Sequence, residues 1–263
     1  MHFLKRRARK NGESEVSPVV GVMLMLVVTI IIAAVVSGFS GRLIDGNNAK
    51  APSLTMDVKI SNTGSWIGSG FTATVTSVSD PIPTKDIKLV TSWKTASRTT
   101  GATVSGGNTS MPLVNNVVSP QIVTGTSCGT NPVSSNAPYG TGSGVTGGNG
   151  AQSLTDPFER PAQQFGNYTL TQGTGLVALP YGSCFANAIG TASAQSDGGG
   201  YGVSTKYTYT SGGAFASGEV DAAQAVLGTG WENLKAGDTV NVKIVHIQTG
   251  KVIVDKDVTV TEG

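Results

Sequence analysis

The sequence is poor in the residue types that usually carry enzyme chemistry. Charged residues make up 13% of its 263 positions, and it contains two histidines, His2 and His246. A histidine-based metal cluster or a catalytic triad needs more such groups near one another than this chain supplies. We therefore predict no catalytic residue, no metal site and no cofactor, and we interpret the protein as a non-enzyme.

Charge is also too scarce for a nucleic-acid partner. The formal net charge is +2, and five of the cations lie within the first ten residues. Removal of residues 1–14 would take away these five cations and one acid, which changes the net charge from +2 to −2. A remaining chain without a basic surface is a poor binder of nucleic acid.

The most prominent feature is an apolar run from Val16 to Gly41 that contains no charged residue. At about 1.5 Å per residue, a helix of this length covers roughly 39 Å, enough to cross a hydrocarbon core of about 30 Å. A basic cluster precedes it, formed by Lys5, Arg6, Arg7, Arg9 and Lys10. The positive-inside rule then predicts a cytoplasmic N-terminus and an exported remainder.

Three interpretations of this run compete. A secretory signal has an apolar region of about 7–15 residues, and this run is much longer. A plain transmembrane anchor fits both the length and the charge asymmetry. The third interpretation takes account of the polar and acidic residues at positions 11–15, between the basic cluster and the helix, which a plain anchor does not need.

The segment from Val16 to Ile30, VSPVVGVMLMLVVTI, resembles the N-terminal segment of archaeal type IV pilins and pilin-like proteins. The resemblance covers roughly residues 5–45. In that family a prepilin peptidase removes a short basic leader on the cytoplasmic side, and the retained helices pack together as the core of a filament. It implies a chain that lies in the cytoplasmic membrane as a precursor and in an extracellular surface filament when mature.

The resemblance also implies a processing site and partners. It places a leader peptide at residues 1–14 and the scissile bond between Ser14 and Glu15, where Ser14 stands in for the commoner glycine or alanine; cleavage after Gly12 is the alternative. The implied partners are further copies of the chain, the prepilin peptidase, a pilus assembly ATPase and a membrane platform protein.

We expect a hydrophobic helix over residues 15–44, with Pro18 in its first turn, where its missing N–H has no partner to lose. Small residues at helical spacing would allow neighbouring helices to approach closely. These candidate packing residues are Ala34, Ser37, Gly38 and Gly41. Glycine, asparagine and proline then predict a hinge over residues 45–52.

Residues 53–263 are predicted to form an exported β domain. Alternation of apolar and polar residues predicts strands at 54–60, 71–78 and 87–93, and a hairpin at 240–260. The Gly/Ser/Thr-rich middle region, residues 100–232, is expected to be loop-rich β structure anchored by aromatic residues. The fold class is therefore α+β, a long helix followed by a β domain that we expect to be an immunoglobulin-like sandwich.

The middle region contains candidate modification sites. In an oxidising exterior the two cysteines, Cys128 and Cys184, predict one disulfide worth on the order of 4 kcal/mol in the chain-entropy model; two buried free thiols are the alternative. Two Asn-x-Ser/Thr triplets make Asn108 and Asn167 candidates for N-glycosylation. Such triplets also arise by chance in a chain rich in serine and threonine.

Two functions remain. The first is a structural pilin subunit of a surface filament that serves adhesion, with an archaellin as a close variant. The second is a membrane protein anchored singly by an uncleaved helix, with an extracellular β domain that binds a partner. The family resemblance and the polar residues ahead of the helix favour the first.

Overall fold

The structure, a computed structural model, describes residues 18–48, 51–65, 67–123, 127–146, 161–180, 200–201, 209–210 and 220–263. The chain divides into two compact units, Met1–Ala49 and Lys50–Gly263. The first contains one long helix and the second is mainly β. The predicted α+β class is confirmed.

The first unit contains helix α1, Pro18–Asn48. It begins at the proline predicted for its first turn, and it ends at Asn48, four residues beyond the predicted end at residue 44. The predicted hinge 45–52 therefore starts within the helix. Gly46, Asn47 and Asn48 are weak helix formers but still donate backbone hydrogen bonds, whereas Pro52 disfavours helical geometry at Ala51.

The second unit is built from fifteen described strands and a short helix, α2, Ala222–Leu227. The strands are β1 Leu54–Ser61, β2 Gly70–Val78, β3 Ile82–Pro83, β4 Ile87–Ala96, β5 Thr103–Gly106, β6 Thr109–Ser110, β7 Val117–Val123, β8 Ser127–Ser135, β9 Tyr139–Gly142, β10 Thr169–Leu170, β11 Thr174–Ala178, β12 Gly200–Tyr201, β13 Tyr209–Thr210, β14 Thr239–His246 and β15 Val252–Thr261.

In the described part of the chain, nine strands form one sheet in the order β5-β4-β14-β15-β1-β2-β11-β9, with β6 also paired to β4. The predicted terminal hairpin is confirmed as β14 and β15, and the three predicted early strands are confirmed as β1, β2 and β4. The first and last strands of the domain meet in a parallel pairing, Ile60 with Val260 and Ser61 with Thr261. The immunoglobulin-like detail stays a prediction.

The core of the β domain is formed by alternate strand residues. Along β4 every second side chain, from Ile87 to Thr95, is buried, which is the period-two pattern that predicted the strand. The largest fully buried side chains all belong to the second unit: Trp231, Tyr139, Phe71, Phe165, Met56, Ile60, Ile87, Leu89, Leu170, Leu176 and Leu227. The β domain therefore has a hydrophobic core of its own.

The described parts of the middle region are ordered by this core. Phe165 and Tyr168 are buried, with their rings 6.3 Å apart in an edge-to-face arrangement. Such a pair adds stability beyond the area it buries. Burial raises the pKa of the Tyr168 hydroxyl, which donates a hydrogen bond to the Pro138 carbonyl at 2.9 Å.

Helix α2, which the sequence analysis did not predict, is fixed at both ends. The Asp221 carboxylate accepts a hydrogen bond from the Gln224 N–H at 2.7 Å, an ordinary N-cap. At the other end the Gly228 N–H donates to the Gln224 carbonyl at 2.8 Å. A six-residue helix has little stability of its own, so these end contacts and its buried apolar side chains hold it.

Three side chains from the neighbouring sheet bind the last three carbonyls of α2. Asn108 Nδ2 donates to the Ala225 oxygen at 2.7 Å. Thr91 Oγ1 donates to the Val226 oxygen and Trp93 Nε1 to the Leu227 oxygen, both at 2.6 Å. Carbonyls that a helix end would otherwise leave without partners are thus satisfied by β4 and the turn before β6.

We predict that Asn108→Ala lowers the free energy of unfolding by about 1–2 kcal/mol, because the Ala225 carbonyl loses its partner in a half-buried place. Urea unfolding in detergent, followed by tryptophan fluorescence, measures this. Asn115→Ala removes an exposed asparagine nearby and serves as the control. Equal unfolding midpoints for the two variants would contradict the capping role of Asn108.

The one-turn 3-10 helix Trp231–Asn233 contains a buried carboxylate oxygen, which belongs to Glu232. Asn62 Nδ2 holds this turn through the Glu232 and Leu234 carbonyls, at 3.0 and 2.9 Å. The Glu232 atom Oε2 is buried and accepts no hydrogen bond from any described residue. Desolvation raises the pKa of Glu232 from its ordinary value of 4.5.

The raised pKa of Glu232 predicts a pH dependence of stability. The folded state holds the Glu232 proton at a higher pH than the unfolded state. The contribution of this carboxyl to the free energy of unfolding is therefore fully present below about pH 4.5 and is lost as the pH rises through the folded-state pKa. Glu232→Gln should raise the unfolding midpoint at neutral pH and flatten its pH profile above 4.5. Glu262→Gln, which removes an exposed carboxylate, is the control; the same flattening there would refute the assignment.

Candidate functional site

The side chains from Val19 to Ser37 of α1 are exposed on every side of the helix. From Val19 to Ser37 all residues are exposed, and the large apolar ones keep between 45% and 71% of their surface, the extremes being Val28 and Met25. An amphipathic helix would bury one stripe against its own domain. A helix that is apolar all round instead needs an apolar environment from outside, either lipid or other helices.

The backbone of this segment and the Thr29 hydroxyl find their hydrogen-bond partners within the helix. The helix pairs its own backbone N–H and C=O groups, as a membrane requires. Thr29 Oγ1 donates to the Leu26 carbonyl at 2.9 Å, so its hydroxyl needs no outside partner. Val19–Ser37, with a mean hydropathy of 3.2, is long and apolar enough to span a membrane.

The predicted packing residues all lie within α1. Ala34 and Ser37 are exposed, and Gly38 and Gly41 follow on the same helix. Gly21 is a further small residue in the helix, and a Cβ added there would meet no atom within 4 Å. Among the described residues no neighbouring atom requires a glycine at that position, and a glycine costs a helix about 1 kcal/mol relative to alanine.

The predicted cleavage residues, Ser14 and Glu15, lie outside the described residues, as does Cys184. Cys128 lies in β8, where its backbone is opposite Ile122, and its side chain is not among those described. The processing site and the disulfide therefore stay predictions.

The two candidate glycosylation sites differ in what their side-chain nitrogens do. Asn108 Nδ2, the atom a glycan would need, donates to the Ala225 carbonyl at the end of α2. Asn167 is exposed, and its Nδ2 donates to the Pro161 carbonyl at 2.9 Å in an exposed bond. Glycosylation of either residue stays a prediction.

The β domain carries an open cleft of about 450 Å³ between β1 and β15. The strands pair at Ile60 and Ser61 and separate towards their N-terminal ends, where Lys256 Nζ donates to the Met56 carbonyl at 2.5 Å. An ammonium group thus takes the place of a strand-to-strand hydrogen bond. The lining of the cleft includes Val58 and Val258. The sequence indicated both strands but gave no sign that they separate.

A polar cluster lies on the exposed face of the hairpin. Asn241 Nδ2 donates to carboxylate oxygens of Asp255 and Asp257 at 2.9 and 2.8 Å, and Lys243 Nζ lies 3.1 Å from Asp255. The Asn241 and Lys243 hydrogen bonds lower the pKa of Asp255. The amide and the ammonium thus occupy the carboxylates, and the described residues contain no group of three acidic, histidine or cysteine side chains that could hold a metal.

The histidine of the β domain, His246, has a local role. His246 is half-buried at the end of β14, and its Nδ1 lies 3.0 Å from Thr249 Oγ1 in the hairpin turn. This contact shapes the turn between β14 and β15. The chemically distinctive feature of the described chain is therefore the exposed apolar helix.

Comparison with known proteins gives a match over the same apolar helix. The family described as archaeal type IV pilin, N-terminal, matches residues 15–56, from the residue predicted to begin the mature chain to the third residue of β1. Neither the curated proteins nor the solved structures contain a match to the chain. From its N-terminal helix to the start of β1, the protein is thus similar to the archaeal type IV pilins.

Proposed function

We propose that this protein is a structural subunit of an archaeal type IV pilus-like surface filament, assembled through its N-terminal helix and serving adhesion. One observation carries the proposal: a helix with exposed apolar side chains on every side lies in the segment similar to archaeal pilins. The protein acts without catalysis in this role.

The helix serves two environments in turn. In the precursor it spans the cytoplasmic membrane, with the basic leader on the cytoplasmic side. In the filament the same side chains pack against the helices of other copies. Transfer from lipid to a helix bundle gains little from the hydrophobic effect, so close packing and an assembly machine, the ATPase and platform protein, must drive it.

Processing precedes assembly in this scheme. The family similarity begins at residue 15, where the proposed cleavage by prepilin peptidase between Ser14 and Glu15 would place the new N-terminus. The β domain, which folds around a core of its own, would then coat the filament and present its exposed surface for adhesion. A disulfide between Cys128 and Cys184 and glycans on Asn108 or Asn167 would suit that external position.

The second candidate function is a singly anchored membrane protein whose β domain binds a partner. The cleft between β1 and β15 is the observation that favours it, because separated strand edges can accept an extended peptide. This candidate needs no processing and no assembly.

The two functions predict different mature chains. Filaments sheared from the native cells should contain a chain that begins at Glu15, which N-terminal sequencing and intact mass would establish. A chain that retains the leader and stays in the membrane fraction would instead support the singly anchored protein. The membrane fraction of cells lacking the peptidase supplies the unprocessed reference.

Assembly should also depend on the small residues of α1. Ala34→Leu places bulk where helices are proposed to approach closely, and we expect at least a severalfold loss of sheared filament with unchanged processing and membrane insertion. Val36→Phe adds comparable bulk on the opposite side of the helix, two residues on, and should assemble more nearly as the wild type. Equal filament yields from the two variants would refute the proposed packing face.

A further inference from the structure

The strand pairings place one set of residues at the end of the β domain where the chain enters from α1. We call it the proximal end: the starts of β1, β4 and β15, the end of β14, and residues 111–114 after β6. β15 runs parallel to β1, and β4 and β14 are antiparallel, with Ile87 opposite His246. Ser53 fixes the entry of the chain through two hydrogen bonds to Ser79, at 3.0 and 3.1 Å.

Exposed apolar side chains from three segments meet at this end. Residues 111–114 follow β6, which pairs with one side of β4; Ile247 follows β14, which pairs with the other side. Val252 lies one strand further, opposite Val245. Since neighbouring strands lie about 4.8 Å apart, these segments lie side by side at this end of the domain.

The exposure is large for aliphatic residues of a folded domain. Leu113 keeps 64% of its surface, Val114 55% and Val252 50%. In the described second unit, Ile67 is the other large apolar side chain outside the proximal end with comparable exposure, and it lies beyond β1 at the opposite end. Apolar surface is thus concentrated where the chain enters.

Leu113 is also held in an unfavourable backbone conformation. Its φ of 59° is the only positive value among the described non-glycine residues. The Leu113 N–H donates to the Phe165 carbonyl at 3.0 Å, and Gly166 lies so close that an added Cβ would meet the Leu113 nitrogen at 2.7 Å. The fold therefore keeps a leucine exposed at a conformational cost, which is typical of functional sites.

Lysines flank the apolar residues. Lys85 and Lys251 are exposed and Lys88 is half-exposed, against the acids Asp80 and Asp86. None of these three lysines takes part in an ion pair among the described residues. Aliphatic side chains bordered by free ammonium groups suit the boundary between acyl chains and anionic headgroups.

The chain itself brings this end close to a membrane. Residues 38–53 connect the candidate span to β1; the helical part to Asn48 covers about 16 Å, and five further residues reach at most about 17 Å. An anchored chain is thus tethered with its proximal end within a short distance of the bilayer, which raises the effective concentration of that end at the lipid surface.

We propose that the proximal end is a membrane-docking surface, in which Leu113, Val114 and Val252 enter the lipid interface while the chain is anchored by α1. The proposal rests on the membrane-anchored precursor and not on filament assembly. It gives the β domain a defined position at the membrane while the chain is anchored.

Site-specific photocrosslinking tests the proposal on the full chain in vesicles containing anionic phosphatidylglycerol. p-Benzoylphenylalanine replaces Val114, Val252 or, as the control at the opposite end, Ile67. We expect lipid adducts from positions 114 and 252, detected by mass, and at least severalfold fewer from position 67. Leu113→Asn, which keeps a residue tolerant of positive φ but removes the apolar group, should reduce the adducts at position 252.

Each outcome bears on a separate claim. Protein–protein adducts in place of lipid adducts, increasing with protein density, would mean that a second copy covers this end and would overturn the proposal. An anchored chain that resists alkaline carbonate but yields equal adducts at all three positions would contradict docking alone. A chain released by carbonate would contradict anchoring itself, and docking with it.

Discussion

The protein is organised by one physical constraint: along Val19–Ser37 of α1 the large apolar side chains are exposed in every direction. Such a helix is stable only where lipid or other helices surround it. It cannot serve as the core of the domain that follows. The β domain must therefore fold around its own residues, and the interaction that the helix still needs has to come from outside the chain.

The β domain meets that requirement by closing its first strand on its last. Ile60 and Ser61 pair with Val260 and Thr261, so residues far apart in sequence complete one sheet. Pairings of this kind form late and cost loop-closure entropy, but they leave the domain independent of its N-terminal extension. Over most of their length the two strands stay apart, with Lys256 on the Met56 carbonyl.

How much the sequence predicts depends on the range of the interaction. The span and the terminal hairpin were predictable because hydropathy and period-two alternation are local properties, and so were β1, β2 and β4. Helix α2 was not, since six residues give too short a pattern and its end is held by Thr91, Trp93 and Asn108 from distant segments. Helix α1 ends at Asn48 and not at the predicted residue 44, because glycine and asparagine only weaken a helix whereas the proline at position 52 disfavours it. The proximal end depends on strand order, which the sequence does not reveal.

The nitrogen Nδ2 of Asn108 would be needed for two roles that exclude each other. An N-linked glycan must be attached to Nδ2, and in the folded domain that atom donates to the Ala225 carbonyl at the end of α2. A glycan there would have to be added before α2 packs on the sheet, and the folded domain would then leave a half-buried carbonyl without its partner. Asn167 gives up only an exposed bond to Pro161, which contributes little. Of the two sequons, physical cost therefore favours Asn167 as the one at which the folded domain could carry a glycan.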